Sequence, residues 1–95
     1  MDGPATGASR KVEIVNEKGL HARAAAKFVE TVERFDAVAT VRRDGMAASG
    51  DSIMGLLMLA ASKGTTIEIE TRGGEAGALA DALVALVAAR FGEDM

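Results

Sequence analysis

At 95 residues the chain is long enough for one domain with its own core, and it has no cysteine, which excludes disulfides, thiolate metal sites and a cysteine nucleophile and favours an intracellular setting. A net charge of −3, with three Phe and neither Trp nor Tyr, lacks the basic footprint and stacking rings on which nucleic-acid binding draws. The longest apolar runs, Ile53 to Ala61 and Leu83 to Ala89, fall short of the roughly 18 residues of a membrane span.

The opening MDGPATGASR has neither the basic nor the apolar region of a secretory leader, so a cytoplasmic protein with no membrane partner is expected. Residues 1–9 contain the only proline, Pro4, among Gly3, Thr6, Gly7 and Ser9, and with no apolar periodicity they read as a flexible tail. One domain is expected over 10–92, with 93–95 as a short C-terminal tail.

From Lys11 to Asn16 polarity alternates, with Val12 and Ile14 on one face and Lys11 and Glu13 on the other, the pattern of a half-buried strand. A turn follows at Lys18-Gly19. Between Ala22 and about Arg34, the apolar residues Ala25, Phe28, Val29 and Val32 recur at helical spacing, which predicts an amphipathic helix. Ala37 to Arg43 returns to period two, and Asp44-Gly45 is a two-residue hairpin signal leading to a short strand at Met46 to Ser49.

A second helix is expected after Ser52, a favoured N-cap, with Ile53, Leu56, Leu57 and Ala60 on its inner face and a stop at Lys63-Gly64. Thr65 to Thr71 alternates with Ile67 and Ile69 inward. Glu75 to Phe91 carries Leu79, Leu83, Leu86 and Val87 at helical spacing, with Gly92 as C-cap. The order is β-α-β-β-α-β-α. Strands of this polarity form a sheet wet on one side, so the class is α+β: a four-stranded antiparallel sheet with three helices on one face, an open-faced sandwich.

His21 is the only histidine, and it stands at the start of the first helix. Unpaired N–H groups and a partial positive charge of about half a unit favour an anion there. Neutral imidazole is a nucleophile near pH 7, and Arg23 adds a guanidinium that matches phosphate oxygens. A lone histidine at a helix start is nonetheless more often a cap or a surface residue, and position alone leaves the domain unassigned. Ser52 is likewise a cap first. The added charge of a phosphoryl group would be tolerated at a helix start, so a regulatory phosphorylation reading stands beside the cap. The run Ile53 to Leu59 is too continuous for one buried face, so Met54 is expected in solvent, on a docking patch.

The run Gly19-Leu20-His21-Ala22-Arg23-Ala24-Ala25 resembles the active-site motif of the histidine-containing phosphocarrier (HPr) proteins of the bacterial phosphotransferase system. Asp51-Ser52-Ile53-Met54-Gly55-Leu56-Leu57-Met58 resembles the family's second signature, with Lys63-Gly64-Thr65 after it. The resemblance implies phosphorylation of His21 on Nδ1 by a phosphoenolpyruvate-dependent Enzyme I and transfer to an Enzyme IIA-type domain, with no cofactor, by a monomer that is a carrier and not itself an enzyme. It implies that Arg23 steadies the phosphoryl group, that the Ala22 and Arg23 amides face it, and that Ser52 matches the site of an HPr kinase/phosphorylase.

Docking is expected through Ala22, Ala26, Lys27, Ile53, Met54 and Leu57. Where the family motif has proline three residues after the histidine, this chain has Ala24, whose restored N–H is either a further phosphate-facing donor or hydrated. Glu30, Glu33 and the ending Phe91-Gly92-Glu93-Asp94 look closer to the nitrogen-related (NPr) branch. Two other readings remain at this level. One is a regulatory module in which His21 is inert and Ser52 alone switches binding. The other, an α+β small-ligand or RNA-binding domain, is disfavoured by the acidic charge and scarce aromatics.

Overall fold

The computed structural model describes residues 7–95. The first strand, β1, spans Gly7–Glu13 and pairs antiparallel with the fourth, β4 (Thr66–Arg72), from Gly7 opposite Arg72 to Glu13 opposite Thr66. Residues 7–9, read from sequence as tail, are therefore strand. Small polar residues give no apolar signal, yet their backbone groups pair along a sheet edge as well as any. The rest of the expected tail, 1–6, lies outside the described residues.

Between these strands, β2 (Val38–Arg43) pairs with β4 on one side and with β3 (Met46–Ser49) on the other, giving the order β1-β4-β2-β3, all antiparallel. The hairpin joining β2 and β3 turns at Asp44 (φ 50°) and Gly45 (φ 80°), the two left-handed residues of a type I′ turn that matches strand twist. On the wet face, Arg42 pairs with Glu70 at 3.0 Å and Ser9 donates to Glu68 at 3.1 Å. On the other face Val41, Ile67 and Ile69 are buried under three helices: α1 (Ala22–Glu33), α2 (Ile53–Met58) and α3 (Ala76–Ala88).

Helix α1 buries Ala25, Phe28, Val29 and Val32 as its periodicity predicts. Helix α2 is shorter and faces differently than expected. Leu56 is its buried residue, with Leu59 buried at its C-cap; Leu57 is half-buried, and Ile53 and the following Ala60 are exposed. It ends before Lys63-Gly64, because Ala60 takes a left-handed conformation (φ 52°) and its N–H caps back to Leu57 O at 3.1 Å. Helix α3 also stops early. Ala89 is its C-cap rather than Gly92, and a tight turn over Arg90–Gly92 follows with Phe91 fully buried.

Candidate active site

The segment between β1 and α1 is pinned to the stretch before β4. Ile14 N–H donates to Thr65 O at 2.8 Å, Gly64 N–H to Ile14 O at 2.7 Å and Leu20 N–H to Ala61 O at 2.9 Å. Gly19 has φ 66°, and a Cβ there would lie 2.6 Å from Ala61 O; the close approach and the left-handed backbone both require glycine. The bend delivers His21 as the N-cap of α1. Its backbone is extended (φ −88°, ψ −176°), its carbonyl accepts from Ala25 N–H at 2.8 Å, and its ring makes no capping bond. The first amides of α1 thus have no side-chain cap, and the imidazole is used elsewhere.

That use comes from the far end of the chain. Arg90 (φ 58°), Phe91 (φ 55°) and Gly92 (φ 79°) are all left-handed, and the two non-glycine residues cost of order 1 kcal/mol or more each. Buried Phe91 and a 2.6 Å bond from Lys27 Nζ to Phe91 O hold the turn. Beyond it, the Glu93 carboxylate meets both His21 and Asn16: Oε2 contacts His21 Nε2, and Oε1 accepts from Asn16 Nδ2 at 2.9 Å. Asn16, fully buried, uses the same Nδ2 to reach Gly19 O at 2.8 Å. Glu17 N–H donates to Met95 O at 3.1 Å. Of residues 93–95, expected as a tail, Glu93 lies against the histidine and Met95 is bonded to Glu17.

The hydrogen bond with His21 pulls the Glu93 carboxyl below its ordinary 4.5, against the opposing effect of burial; the bond from Asn16 and the nearby charges of His21 and Lys18 add to the lowering. A depressed carboxyl pKa means that ionised Glu93 stabilises the fold above about pH 4.5 and that this contribution is lost as pH falls through the folded-state value. Glu93→Gln is accordingly expected to lower the thermal midpoint at pH 7, the gap from wild type closing towards pH 3. Thermal denaturation followed by circular dichroism at a series of pH values measures it; a gap that does not change with pH would show that Glu93's charge adds nothing.

Arg23, exposed, lines an open cleft of about 370 Å³ with Glu17, Lys18, Lys27 and the segment Gly92 to Met95. Among the described residues it makes no ion pair. Lys27, expected to dock a partner, is half-buried and donates to Phe91 O at 2.6 Å. Ala22 is exposed and Ala26 half-buried, while Ala24 is fully buried with its amide in the first turn of α1. Ser52 caps α2, its Oγ accepting from Gly55 N–H at 2.9 Å. Met54 and Met58 are 70% and 71% exposed and Ile53 41%, so the apolar run does reach solvent. No group of three or more His, Cys, Asp or Glu among the described residues could hold a metal ion, and no helix among them is long and apolar enough to cross a membrane.

Residues 8–89 match the family model for the phosphorylation site of the HPr component of the phosphotransferase system. The chain belongs to that family. It is 45% identical over 84 residues to the phosphocarrier protein HPr of Neisseria meningitidis, covering 88% of this chain and 94% of the relative. It is 45% identical over the same length to the phosphocarrier protein NPr of Shewanella violacea, covering 88% and 92%. Its fold superposes on crystalline HPr from Thermoanaerobacter tengcongensis with a TM-score of 0.88 at 35% identity, covering 93% of this chain and 99% of that one. Like its family, the chain is a phosphocarrier and not a catalyst, with the β-α-β-β-α-β-α sandwich of HPr. Asn16 and Glu93 are the site residues that sequence reasoning did not find. No local pattern marks either, since Glu93 stands 72 residues from His21.

Proposed function

We propose that His21 accepts a phosphoryl group on Nδ1 from phosphoenolpyruvate by way of Enzyme I and passes it to an Enzyme IIA-type domain, in the cytoplasm where phosphoenolpyruvate is. The observation that carries this is the ring's setting. It caps a helix start, Nε2 is engaged by Glu93, and Nδ1 has no partner among the described residues. An anion on Nδ1 gains from the helix field, and Arg23 together with the amides of Ala22, Arg23 and Ala24 supplies donors. The domain provides the nucleophile and the anion site, and its partners supply the catalysis.

Docking runs over Ala22, Ala26, Ile53, Met54 and Leu57, with the protein as a monomer. Lys27, half-buried and donating to Phe91 O, keeps two further N–H groups for a partner at the edge of this surface. Glu30 and Glu33, both exposed on α1, favour a regulatory, nitrogen-related partner set, because charge at an interface rim selects partners. Incubation with labelled phosphoenolpyruvate and Enzyme I, followed by site mapping, tests the assignment. Acid-labile label at His21 is the expected result, and label elsewhere or none would refute it.

Ser52 is in our reading the target of an HPr kinase/phosphorylase. Asp is as good a cap as Ser, so Ser52→Asp keeps α2 and adds charge beside Ile53 and Met54. It is expected to slow transfer from Enzyme I about tenfold, or about 1.4 kcal/mol, with circular dichroism unchanged; transfer at the wild-type rate would count against regulation at this site.

A further inference from the structure

We propose that Glu93 is a positioning residue that holds His21 in the tautomer protonated on Nε2, so that Nδ1 presents its lone pair as the nucleophile. The inference rests on reading His21 as the phosphoryl acceptor.

An ionised carboxylate only accepts hydrogen bonds, so the Glu93 Oε2 contact requires the proton on Nε2. In a neutral ring the lone pair then lies on Nδ1. The carboxylate is itself held. Asn16 Nδ2 donates to Glu93 Oε1 and to Gly19 O, and the reverse orientation of that amide would set its oxygen against both acceptors. The orientation is kept although it leaves buried Asn16 Oδ1 without a partner among the described residues. The backbone points the same way. Two non-glycine residues, Arg90 and Phe91, stay left-handed, and the turn they make sets Glu93 on the ring. Strain of this kind persists only where the surroundings enforce it.

The chemistry follows. On acceptance, the Nδ1 lone pair forms the N–P bond while the bond from phosphorus to the donor histidine of Enzyme I breaks, its electron pair remaining on the donor nitrogen. Nε2 keeps its proton, and the positive charge that develops on the ring faces the Glu93 carboxylate. On donation the N–P electron pair returns to Nδ1. Neither step moves a proton on His21.

The test compares wild type, Glu93→Ala and Glu93→Gln. Ring ¹⁵N shifts of His21 are read on the unphosphorylated proteins at about pH 8.5, above the ordinary imidazole range, and acceptance from labelled phosphoenolpyruvate with Enzyme I is resolved into kcat and KM. Wild type should show the Nε2–H form. In Glu93→Ala the tautomers should mix and kcat fall about tenfold with KM unchanged. In Glu93→Gln the amide oxygen must answer Asn16 Nδ2, so its NH2 faces His21. That should reverse the tautomer and lower kcat at least about a hundredfold, below the alanine variant.

A near-isosteric glutamine milder than alanine, or a tautomer unchanged in both variants, would show that Glu93 only fills space and would overturn the proposal. Wild type that takes no label at His21 would instead refute the carrier reading. The shifts, measured without any phosphoryl group, would still decide whether Glu93 sets the tautomer.

Discussion

His21→Ala is expected to bring acid-labile labelling from phosphoenolpyruvate and Enzyme I down to background while the fold survives. The first half follows from chemistry, since the chain holds no second histidine and no cysteine, and a phosphoryl group on Ser52 would be stable to acid. The second half follows from packing. The ring makes no capping bond to α1, and the side chain is about one quarter exposed at 26%, so its loss opens no core cavity. Its one partner, the Glu93 carboxylate, keeps the bond from Asn16. The stability lost is that of one charge-assisted hydrogen bond on a partly exposed ring, about 1.5 kcal/mol, or roughly 6–12 °C in thermal midpoint for a domain of this size. Acid-labile label retained by the variant would refute phosphorylation of His21. Acid-stable label mapped to Ser52 in wild type and variant alike would favour a module switched at Ser52 alone.

Gly19→Ala should damage both stability and transfer. An added Cβ would sit 2.6 Å from Ala61 O and 2.9 Å from Ser62 Cα, both backbone atoms, on a residue with φ 66°. The left-handed conformation costs an alanine about 1–2 kcal/mol, and relieving the overlap costs about 1–3 more. The expected drop in thermal midpoint is roughly 10 °C or more. Ala61 O is also the acceptor for Leu20 N–H, so pushing it away shifts the residue before His21 and slows transfer even in molecules that stay folded. Gly64 supplies the control: it is left-handed too (φ 90°), but a Cβ there meets nothing within 4 Å. Gly64→Ala should show the conformational cost alone. An equal loss at the two positions would mean that the crevice at Ala61 and Ser62 gives way.

The strands and helices were legible because each carries its own period. Ile67 and Ile69 alternate with glutamates, Phe28 and Val32 lie one turn apart, and Asp44-Gly45 marks its turn by residue type. Ser52 was legible as a cap for the same local reason. The ends of α2 and α3 were not, because the left-handed residues that follow them, Ala60 and Arg90, are of types that give no breaker signal. At the site, His21 and Arg23 could be read from the motif and the helix start. Glu93 was visible only as part of an ending, and Asn16 only as the end of a strand. Their roles depend on a turn that no local pattern announces and that brings the far end of the chain onto its beginning. On a helical wheel Lys27 is a surface cation, and only the folded chain shows that its ammonium also donates to Phe91 O.

Strand order has a consequence for how the protein is made. Strands β1 and β2 do not touch each other; each pairs with β4, which is synthesised long after both. A nascent chain that has exposed His21 can form at most α1 and the β2–β3 hairpin, because the sheet must wait for Thr66–Arg72 and such non-local closure is slow. The groups that fix the bend before His21, at Ala61, Gly64 and Thr65, emerge only shortly before β4, and Glu93 emerges after α3. His21 therefore leaves the ribosome early and is framed last, after the segments that bend the chain before it and the residue that meets its ring.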